Sequence, residues 1–400
     1  MDLQLALEQA LDAHKKALLA FSQDLISIAS ENPPGNYYRE CMDRLCLELD
    51  RLGFAYQVVE APGFPDRPRY NLISFYGDNQ PTLYFHGHYD VVPAQSREQF
   101  NPRIEKGRLY GRGSTDMKPA LATMIYATYL LKELEVPLQG RIGLCIVADE
   151  ETGGQGGSRY LEQNGLLGQN AIAMLTPEPT SGVIWNASRG AITLRITVKG
   201  KAAHVGLQHQ GTNAFEQMLR VATALQALKA EVEKRKTSYR IVPEAAAHSI
   251  LMLGGRVEGG ANFNVVPETC AFTVERRFNP EEDIEAEKVQ LLAVLERLQR
   301  QGITLDVEVL QEGLSSGVSE DHPVARTLAE SIEAVTGRRP AFEMCPGILE
   351  IRWYARKGIP AFAYGPGLLE VAHGPNEVIE IERIYQHTVI YALVAARLLS

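Results

Sequence analysis

The run from Ile142 to Ala148, with the sequence IGLCIVA, constrains the fold more than any other stretch of the chain. It contains no charged or strongly polar residue, so a strand formed from it would have to bury both of its faces. Such strands are typical of parallel sheets that are covered by helices on both sides. Similar strand patterns lie at 70–76, 82–86 and 171–176, and helical patterns lie at 3–28 and 38–53. The first part of the chain therefore predicts an α/β domain with a mostly parallel sheet.

The pattern of the strands changes near residue 183. The stretch ITLRITVKG, residues 192–200, alternates apolar and polar residues, which predicts a sheet with one face in water. Helical and strand patterns then follow in the order β-α-β-β-α-β, which is typical of a ferredoxin-like α+β domain. After Gly313 the α/β pattern returns, and a chain of 400 residues is long enough for two domains. We predict one α/β domain, residues 1–182 and 313–400, interrupted by an inserted α+β domain, residues 183–312.

Charge and composition exclude several classes of function. The net charge of −9 argues against nucleic acid or an anionic membrane as the main partner. No apolar run approaches the ~20 residues that span a bilayer. The N-terminal helical pattern opens with Asp2 and lacks the basic and apolar regions of a secretory signal. The five cysteines have no CxxC spacing, so we expect reduced thiols in a cytoplasmic protein.

An unusual group of polar residues follows the apolar strand pattern at 82–86. His86, His88 and Asp90 alternate along the chain, so in an extended conformation their side chains share a face. Taken alone, this group is as consistent with a structural strand end as with a metal site.

Further chemistry-bearing residues follow other strands of the same predicted sheet, and one more, Asp116, lies in a Gly-rich loop at the start of a predicted helix. Each has an ordinary explanation: a solvated turn, a helix N-cap, a rigid loop between prolines or a hydrogen-bonded loop histidine. In open α/β sheets, however, ligands bind beyond the carboxyl ends of the strands, so these residues are expected to converge. Carboxylates crowded together need a countercharge, and two zinc-like cations with one bridging carboxylate would supply it. The candidates are Glu150, Glu151, Glu178, Asp116 and His373.

At this point the sequence resembles a known family. The segments GHYDVVP, GRGSTDMK, ADEETGG, PEPT and AHGPNE resemble, in this order, the metal-site motifs of the M20 metallopeptidases. That family includes acetylornithine deacetylases, succinyl-diaminopimelate desuccinylases and carboxypeptidase G-like enzymes. The resemblance covers nearly the whole chain, and it implies that the inserted domain is a lid through which two subunits dimerise.

The resemblance also implies a role for each motif residue. His88 and Glu178 resemble the ligands of a first metal ion, Glu151 and His373 those of a second, and Asp116 the carboxylate that bridges both ions. Asp90 resembles the acid that orients the first histidine. Glu150 resembles the general base, and His86 is left as a structural residue. The implied cofactor is a pair of divalent ions, expected to be Zn²⁺, although Co²⁺ and Mn²⁺ accept similar ligands.

The inserted domain contains a second set of candidates. His204, in GKAAHVG, resembles a histidine that reaches the partner's active site and stabilises an oxyanion; the alternative is a surface histidine after a strand. Asn264 and the pair Arg276 and Arg277 resemble polar substrate contacts, with Arg277 the better candidate for holding a carboxylate. The alternative for Arg276 is an exposed charge on a strand.

The implied reaction is hydrolysis of the amide bond in an N-acyl amino acid, with a homodimer as the active form. A dipeptidase or carboxypeptidase using the same metal centre is an alternative. A non-catalytic, metal-binding dimeric scaffold is an alternative of another class. The segment CPGILEIRWYARKG, residues 345–358, departs from the pattern of many relatives around Glu350 and Arg352, and this leaves the acyl group and the amino acid open.

Overall fold

The computed structural model describes residues 2–400. The helices are α1 (Leu3–Ser27), α2 (Tyr38–Leu52), α3 (Lys118–Glu133), α4 (Ser158–Gln163), α5 (Ala214–Val232), α6 (Ile284–Arg300), α7 (Pro323–Thr336), α8 (Ile351–Ala355) and α9 (Ile381–Leu398). The first strands are β1 (Tyr56–Ala61), β2 (Arg69–Tyr76), β3 (Thr82–His88), β4 (Arg103–Glu105), β5 (Arg108–Tyr110), β6 (Arg141–Val147), β7 (Ala171–Thr176) and β8 (Ile184–Ser188). The remaining strands are β9 (Gly190–Lys199), β10 (Ile250–Gly259), β11 (Thr269–Phe278), β12 (Thr304–Gly313), β13 (Ser316–Gly317), β14 (Phe342–Cys345), β15 (Ala361–Ala363) and β16 (Val378–Glu380).

The chain forms two compact units. Among the described residues, the first unit contains 2–186, 318–342 and 353–400, and the second contains 187–317 and 343–352. The role of residues 183–312 as a lid and dimerisation domain stays a prediction.

The first unit is built on a mixed sheet with the strand order β1-β2-β6-β3-β7-β15-β8. The four central strands, β6, β3, β7 and β15, are parallel to one another, whereas the flanking strands pair antiparallel. The predicted strand from Ile142 to Ala148 corresponds to β6, whose residues from Ile142 onward are buried. The α/β class predicted from these apolar strands is confirmed.

Helices cover both faces of this sheet, as successive residues of β3 show. The ring of Phe85 packs against Tyr391 of α9, with a centroid distance of 4.8 Å. His86 points to the opposite face, where it contacts the hydroxyls of Tyr354 and Ser158 at 3.1 Å each. Gly87 lies against α3, and a Cβ at this position would come within 2.7 Å of Leu121. A larger residue would therefore have to displace the end of the Leu121 side chain beside the strand that carries His88.

The second unit has the predicted order β9-α5-β10-β11-α6-β12. Its strands form an antiparallel sheet with the order β10-β11-β9-β12. The apolar residues of β9 are buried against α5 and α6, while the alternate residues of this strand are only partly covered, as the alternation predicted. This unit therefore has its own hydrophobic core.

Arg276 differs from one sequence interpretation. The alternative given for this residue was an exposed charge on a strand, but its side chain is fully buried. The reason is the alternation of side chains along β11, which places Arg276 on the same buried face as Cys270, Phe272 and Val274. Its guanidinium pairs with two carboxylates, those of Glu282 and Glu287.

Across residues 2–400, no helix is both long enough and apolar enough to span a bilayer.

Candidate metal centre

His88 is the last residue of β3, and its imidazole is almost completely buried. Nδ1 lies 3.0 Å from the carbonyl oxygen of Asp90, which can only accept a hydrogen bond. Nδ1 therefore carries a proton, and Nε2 is the atom that faces the site, 3.2 Å from Oδ1 of Asp116. Fixing the ring in this way is a common means of presenting an imidazole to a metal ion.

Asp90 joins this histidine to two other segments. Its carboxylate lies 3.4 Å from Nδ1 of His88 and accepts the backbone N–H groups of Glu150 and Glu151 at 3.2 Å each. It also accepts a hydrogen bond from the side chain of Asn32 at 2.8 Å. Asp90 thus fixes the relative positions of β3 and the turn that carries both glutamates.

The carboxylate of Asp116 lies between two imidazoles. Oδ1 is 3.2 Å from Nε2 of His88, and Oδ2 is 3.2 Å from Nε2 of His373. Burial favours its neutral form, yet the hydrogen bonds from His373 and His88 hold the pKa of the Asp116 carboxyl below its ordinary value. Each oxygen therefore faces a different histidine, which is the arrangement expected of a carboxylate shared by two cations.

The loop that presents Asp116 is held by Glu377. This buried carboxylate accepts backbone N–H groups from Gly113, Thr115 and Asp116 at 2.9–3.0 Å, and the guanidinium of Arg112 donates to it at 2.6 Å. Burial raises the pKa of Glu377 against these hydrogen bonds. Glu377 therefore connects the Asp116 loop to the segment that carries His373.

Glu151 and His373 form the other side of the site. Oε2 of Glu151 lies 3.4 Å from Nε2 of His373, and Oε1 is buried without a hydrogen-bond partner in the described part of the chain. Hydrogen bonds to Asp116 and Glu151 raise the pKa of His373 to about 10. Burial raises the pKa of Glu151.

Carboxylates also dominate the electrostatics of His88. Burial disfavours its charged form, but the hydrogen bonds to Asp116 and Asp90 outweigh this effect and raise the pKa of His88 well above its ordinary value. The charge of Glu150 acts in the same direction. The site therefore has a strong preference for positive charge.

Glu150 and Glu178 follow two other strands of the sheet. Glu150 begins a short 3-10 turn, which is entered through Asp149 in the left-handed conformation with φ 62°. The carboxylate of Asp149 is held by Arg69 at 2.7 Å and by Tyr38 at 3.1 Å. Glu178 is buried directly after β7, between Pro177 and Pro179.

The donor set fits divalent cations. One potential ligand atom from each of His88, Asp116 and Glu151 lies within 4.8 Å of the other two, while Glu178 and His373 fall outside this group of three. Imidazole nitrogen and carboxylate oxygen are ligands that Zn²⁺, Co²⁺ and Mn²⁺ accept. The unpartnered buried oxygen of Glu151 is a further indication, because buried polar atoms normally have partners.

Several organising residues were missed in the sequence. These residues bind segments that are distant in sequence, so the pattern around each of them did not show this role: Asn32, Arg69 and Glu377. Glu377 does belong to the motif AHGPNE, and its acidic type there was the one available signal.

The candidates of the second unit lie in two places. His204 is exposed, and its Nδ1 accepts the backbone N–H of Gly206 at 3.1 Å. Asn264 lies near His204 in space, because the backbone carbonyl of Asn264 accepts a hydrogen bond from the N–H of Val205, the residue after His204, at 2.9 Å. Arg277, on β11, forms an ion pair with Glu275.

Comparisons with known proteins agree with this architecture. Residues 84–397 match the family described as peptidase family M20/M25/M40. A succinyl-diaminopimelate desuccinylase of Methylobacterium radiotolerans is 28% identical over 391 residues, which cover 94% of this chain and 96% of that protein.

Two solved structures share the fold. An M20 family metallo-carboxypeptidase from Sulfolobus solfataricus superposes with a TM-score of 0.78 at 19% identity, covering 95% of this chain and 98% of the other. The YXEP protein of Bacillus subtilis, described as a dinuclear metal-binding peptidase of the M20 family, has a TM-score of 0.68 at 16% identity, covering 97% and 99%.

Proposed function

Since the chain belongs to peptidase family M20/M25/M40, a family of hydrolases, we propose that it cleaves the amide bond of N-acyl amino acids at a centre of two divalent cations. The observation that carries the proposal is the position of Asp116, whose two oxygens face the two histidines separately. The similarity to a succinyl-diaminopimelate desuccinylase supports an acyl-amino-acid substrate.

Five residues would hold the cations in this proposal. His88 and Glu178 would bind one ion, Glu151 and His373 the other, and Asp116 both. When bound, such ions lower the pKa of a water molecule and polarise the carbonyl group. We propose Zn²⁺, although Co²⁺ and Mn²⁺ fit the same nitrogen and oxygen ligands. The dinuclear site described for the Bacillus subtilis protein of the same fold supports a pair of ions.

The remaining residues would move protons and hold the substrate. Glu150 would take a proton from water as the oxygen attacks the amide carbon, and would pass it to the leaving amine as the C–N bond breaks. Asp90 would keep His88 in the required tautomer. His204 would donate a hydrogen bond to the developing oxyanion. Asn264 and Arg277 would bind the substrate carboxylate, for which Arg277 would have to exchange its present partner, Glu275.

The proposed active form is a homodimer joined through the second unit. Strand β10 lies at the edge of its sheet, and Ile250, Met252 and Val257 on this strand are exposed. Phe215 and Leu219, at helical spacing on α5, are also exposed rather than part of the core. An edge strand with apolar side chains favours pairing with another chain.

We propose the cytoplasm as the location. All five cysteines are free thiols in the described structure, as expected for a reducing compartment.

A dipeptidase or carboxypeptidase is the second candidate, because the metal chemistry would be the same and only the substrate pocket would differ. The fold shared with a metallo-carboxypeptidase favours it. A non-catalytic metal-binding scaffold remains the alternative of another class. The presence of Glu150 beside the ligands speaks against it, since a scaffold has no use for a general base.

The test is the release of free amine from N-succinyl, N-acetyl and N-formyl amino acids and from dipeptides. Metal-loaded and chelator-treated protein would be compared, and bound metal would be measured in each sample. We expect chelator-sensitive release from one acyl class. Cleavage of dipeptides alone would favour the peptidase, and bound metal without turnover of any substrate would favour the scaffold.

A further inference from the structure

A second concave site lies in the first unit, and none of the proposed metal ligands lines it. The cavity has a volume of about 540 Å³. Its walls come from the C-terminal part of α7, the segment 338–341 that follows it, residues 181–182 and the first half of α9. The volume is within the range of roughly 300–1,000 Å³ that is usual for small-molecule sites.

Positive charge prevails around this cavity. Arg338, Arg339 and Arg383 line it, whereas Glu380 is the one acidic lining residue in the described chain, and its carboxylate faces Arg108 at 3.4 Å. Arg339 pairs with Glu333 at 3.0 Å. The cavity therefore has more positive charge than its own carboxylates neutralise.

Two of the three guanidinium groups have no carboxylate partner among residues 2–400. The side chain of Arg338 makes no hydrogen bond or ion pair there. Arg383 donates from Nε to the carbonyl of Pro366 at 2.7 Å, which leaves both of its terminal nitrogens available. A guanidinium group has a planar set of donors that matches carboxylate and phosphate oxygens.

The floor of the cavity is neutral. His387 is buried and stacks on Tyr364 with a centroid distance of 4.7 Å and an interplanar angle of 13°. Its Nδ1 donates to the carbonyl of Arg383 at 2.7 Å. Burial and the charge of Arg383 lower the pKa of His387 to about 3. Affinity for an anion would therefore come from the arginines and not from the histidine.

The cavity shares residues with a loop that leads to the metal centre. Arg383 holds Pro366, Ser181 donates its N–H to the carbonyl of Gly367 at 3.1 Å, and the hydroxyl of Ser181 accepts the N–H of Leu369 at 2.9 Å. This loop continues to His373. An occupant of the cavity would thus contact residues that fix the approach to a proposed metal ligand.

We propose that this cavity binds a small anion, through a phosphate or carboxylate group that pairs with Arg338, Arg339 and Arg383. The site is separate from the proposed hydrolytic centre and does not depend on it.

The experiment is equilibrium dialysis of the metal-loaded protein, freed of excess metal, with radiolabelled inorganic phosphate and with succinate as competitor. A double variant, Arg338→Gln with Arg339→Gln, removes two charges from the cavity and leaves the loop contact of Arg383 intact. The control, Arg326→Gln with Arg300→Gln, removes the same charge at exposed positions outside it.

We expect a saturable site in the wild type and in the control, and at least about tenfold weaker binding in the cavity variant. Competition by succinate would assign the site to carboxylates as well as phosphate, and its failure would assign it to phosphate alone. Equal binding by the wild type and the cavity variant would place the anion at the metal centre and overturn the proposal. Absence of saturable binding up to about 10 mM would also overturn it.

Discussion

Two adjacent glutamates, Glu150 and Glu151, differ in what they face. Glu151 contacts His373, whereas the charge of Glu150 acts on His88 from the start of the turn. Adjacent side chains diverge, so one can bind a cation while the other exchanges a proton. This division is what the proposed mechanism requires.

Replacing Glu150 by Gln should therefore separate binding from catalysis. We expect metal content to be unchanged and kcat to fall by about 10²–10⁴-fold, because an amide cannot accept the proton from water. The measurement is metal analysis beside steady-state kinetics, with the exposed Glu105→Gln as control. A Gln variant with wild-type kcat would rule out Glu150 as the base.

The stability of the first unit should depend on pH through His387. Its pKa in the folded protein, about 3, is below the ordinary value of 6.5, so the folded state favours the neutral ring. This contribution is complete above pH 6.5 and is lost as pH falls from 6.5 towards about 3, because the unfolded chain takes up the proton first. The groups beside the ring are Tyr364 and Arg383.

Replacement of His387 by Gln tests this pH dependence. Unfolding by urea, followed at several pH values, should give a slope that is smaller in the variant by up to ~1.4 kcal/mol per pH unit over this interval. Identical slopes in the two proteins would show that His387 does not titrate differently on unfolding.

Among the structural elements, the loop from Arg112 to Asp116 depends most on a distant residue. Glu377 accepts hydrogen bonds from three backbone N–H groups of this loop and one from the side chain of Arg112, so this carboxylate restricts the conformation of the loop. The position of Asp116 is set from the C-terminal part of the chain.

Glu377→Gln should therefore weaken metal binding without replacing a proposed ligand. We expect metal affinity to fall by about 10–100-fold, as for other partners that orient ligands. Metal retained after dialysis would be compared in the variant, the wild type and the exposed Glu382→Gln. Circular dichroism shows whether the variant is folded; a folded variant with wild-type metal affinity would contradict the role of Glu377.

In the second unit, the buried ion pairs of Arg276 should be the most sensitive polar contact. Removing one partner of a buried ion pair destabilises the fold, and Arg276→Met would leave the half-buried Arg235 to pair alone with both Glu282 and Glu287. Because Arg235 still compensates part of the negative charge, we expect a loss below the roughly 3–5 kcal/mol of a fully unpaired buried charge in the local free energy of opening, measured by hydrogen exchange of the β9–β12 amides. The exposed Arg256→Met is the control, and equal exchange in both variants would contradict this assignment.

The elements also show what sequence patterns can and cannot indicate. The alternation in β9 and the apolar run of β6 each report local burial, so both strands and their sheets could be predicted. The small sheet of β4, β5 and β16 could not, because residues 378–380 pair with residues 108–110, and strands of three residues have no detectable periodicity.

The same distinction applies to the candidate site. His88 and Glu151 could be anticipated because the ends of parallel strands converge at one edge of the sheet, and Asp116 because its Gly-rich segment at a helix start resembles a metal-site motif. Asn32 and Glu377 could not, since their function is to hydrogen-bond segments far away in sequence. The alternative interpretation of Arg276 as an exposed charge was wrong, because the alternation of side chains along β11 places it on the buried face.

At the scale of the whole molecule, the proposed homodimer can be tested by changing the exposed edge strand β10. Val257→Glu, made together with Met252→Glu, places charges on the exposed edge strand β10 and should convert a dimer into a monomer. Sedimentation velocity at the assay concentration would measure this, with Leu47→Glu on α2 as a control of equal chemistry. A fully active wild-type monomer would exclude the dimer as the active form.

The order of segments along the chain has a consequence for biosynthesis. Helix α9 packs in the core of the first unit with α1 and α3, yet the ribosome makes it after the whole of the second unit. The second unit can bury its core residues while translation continues, whereas the apolar faces of α1 and α3 stay partly uncovered until α9 has been made. The first unit can therefore complete its core only after α9 has been made, and His373 and Glu377 join the site only near the end of synthesis.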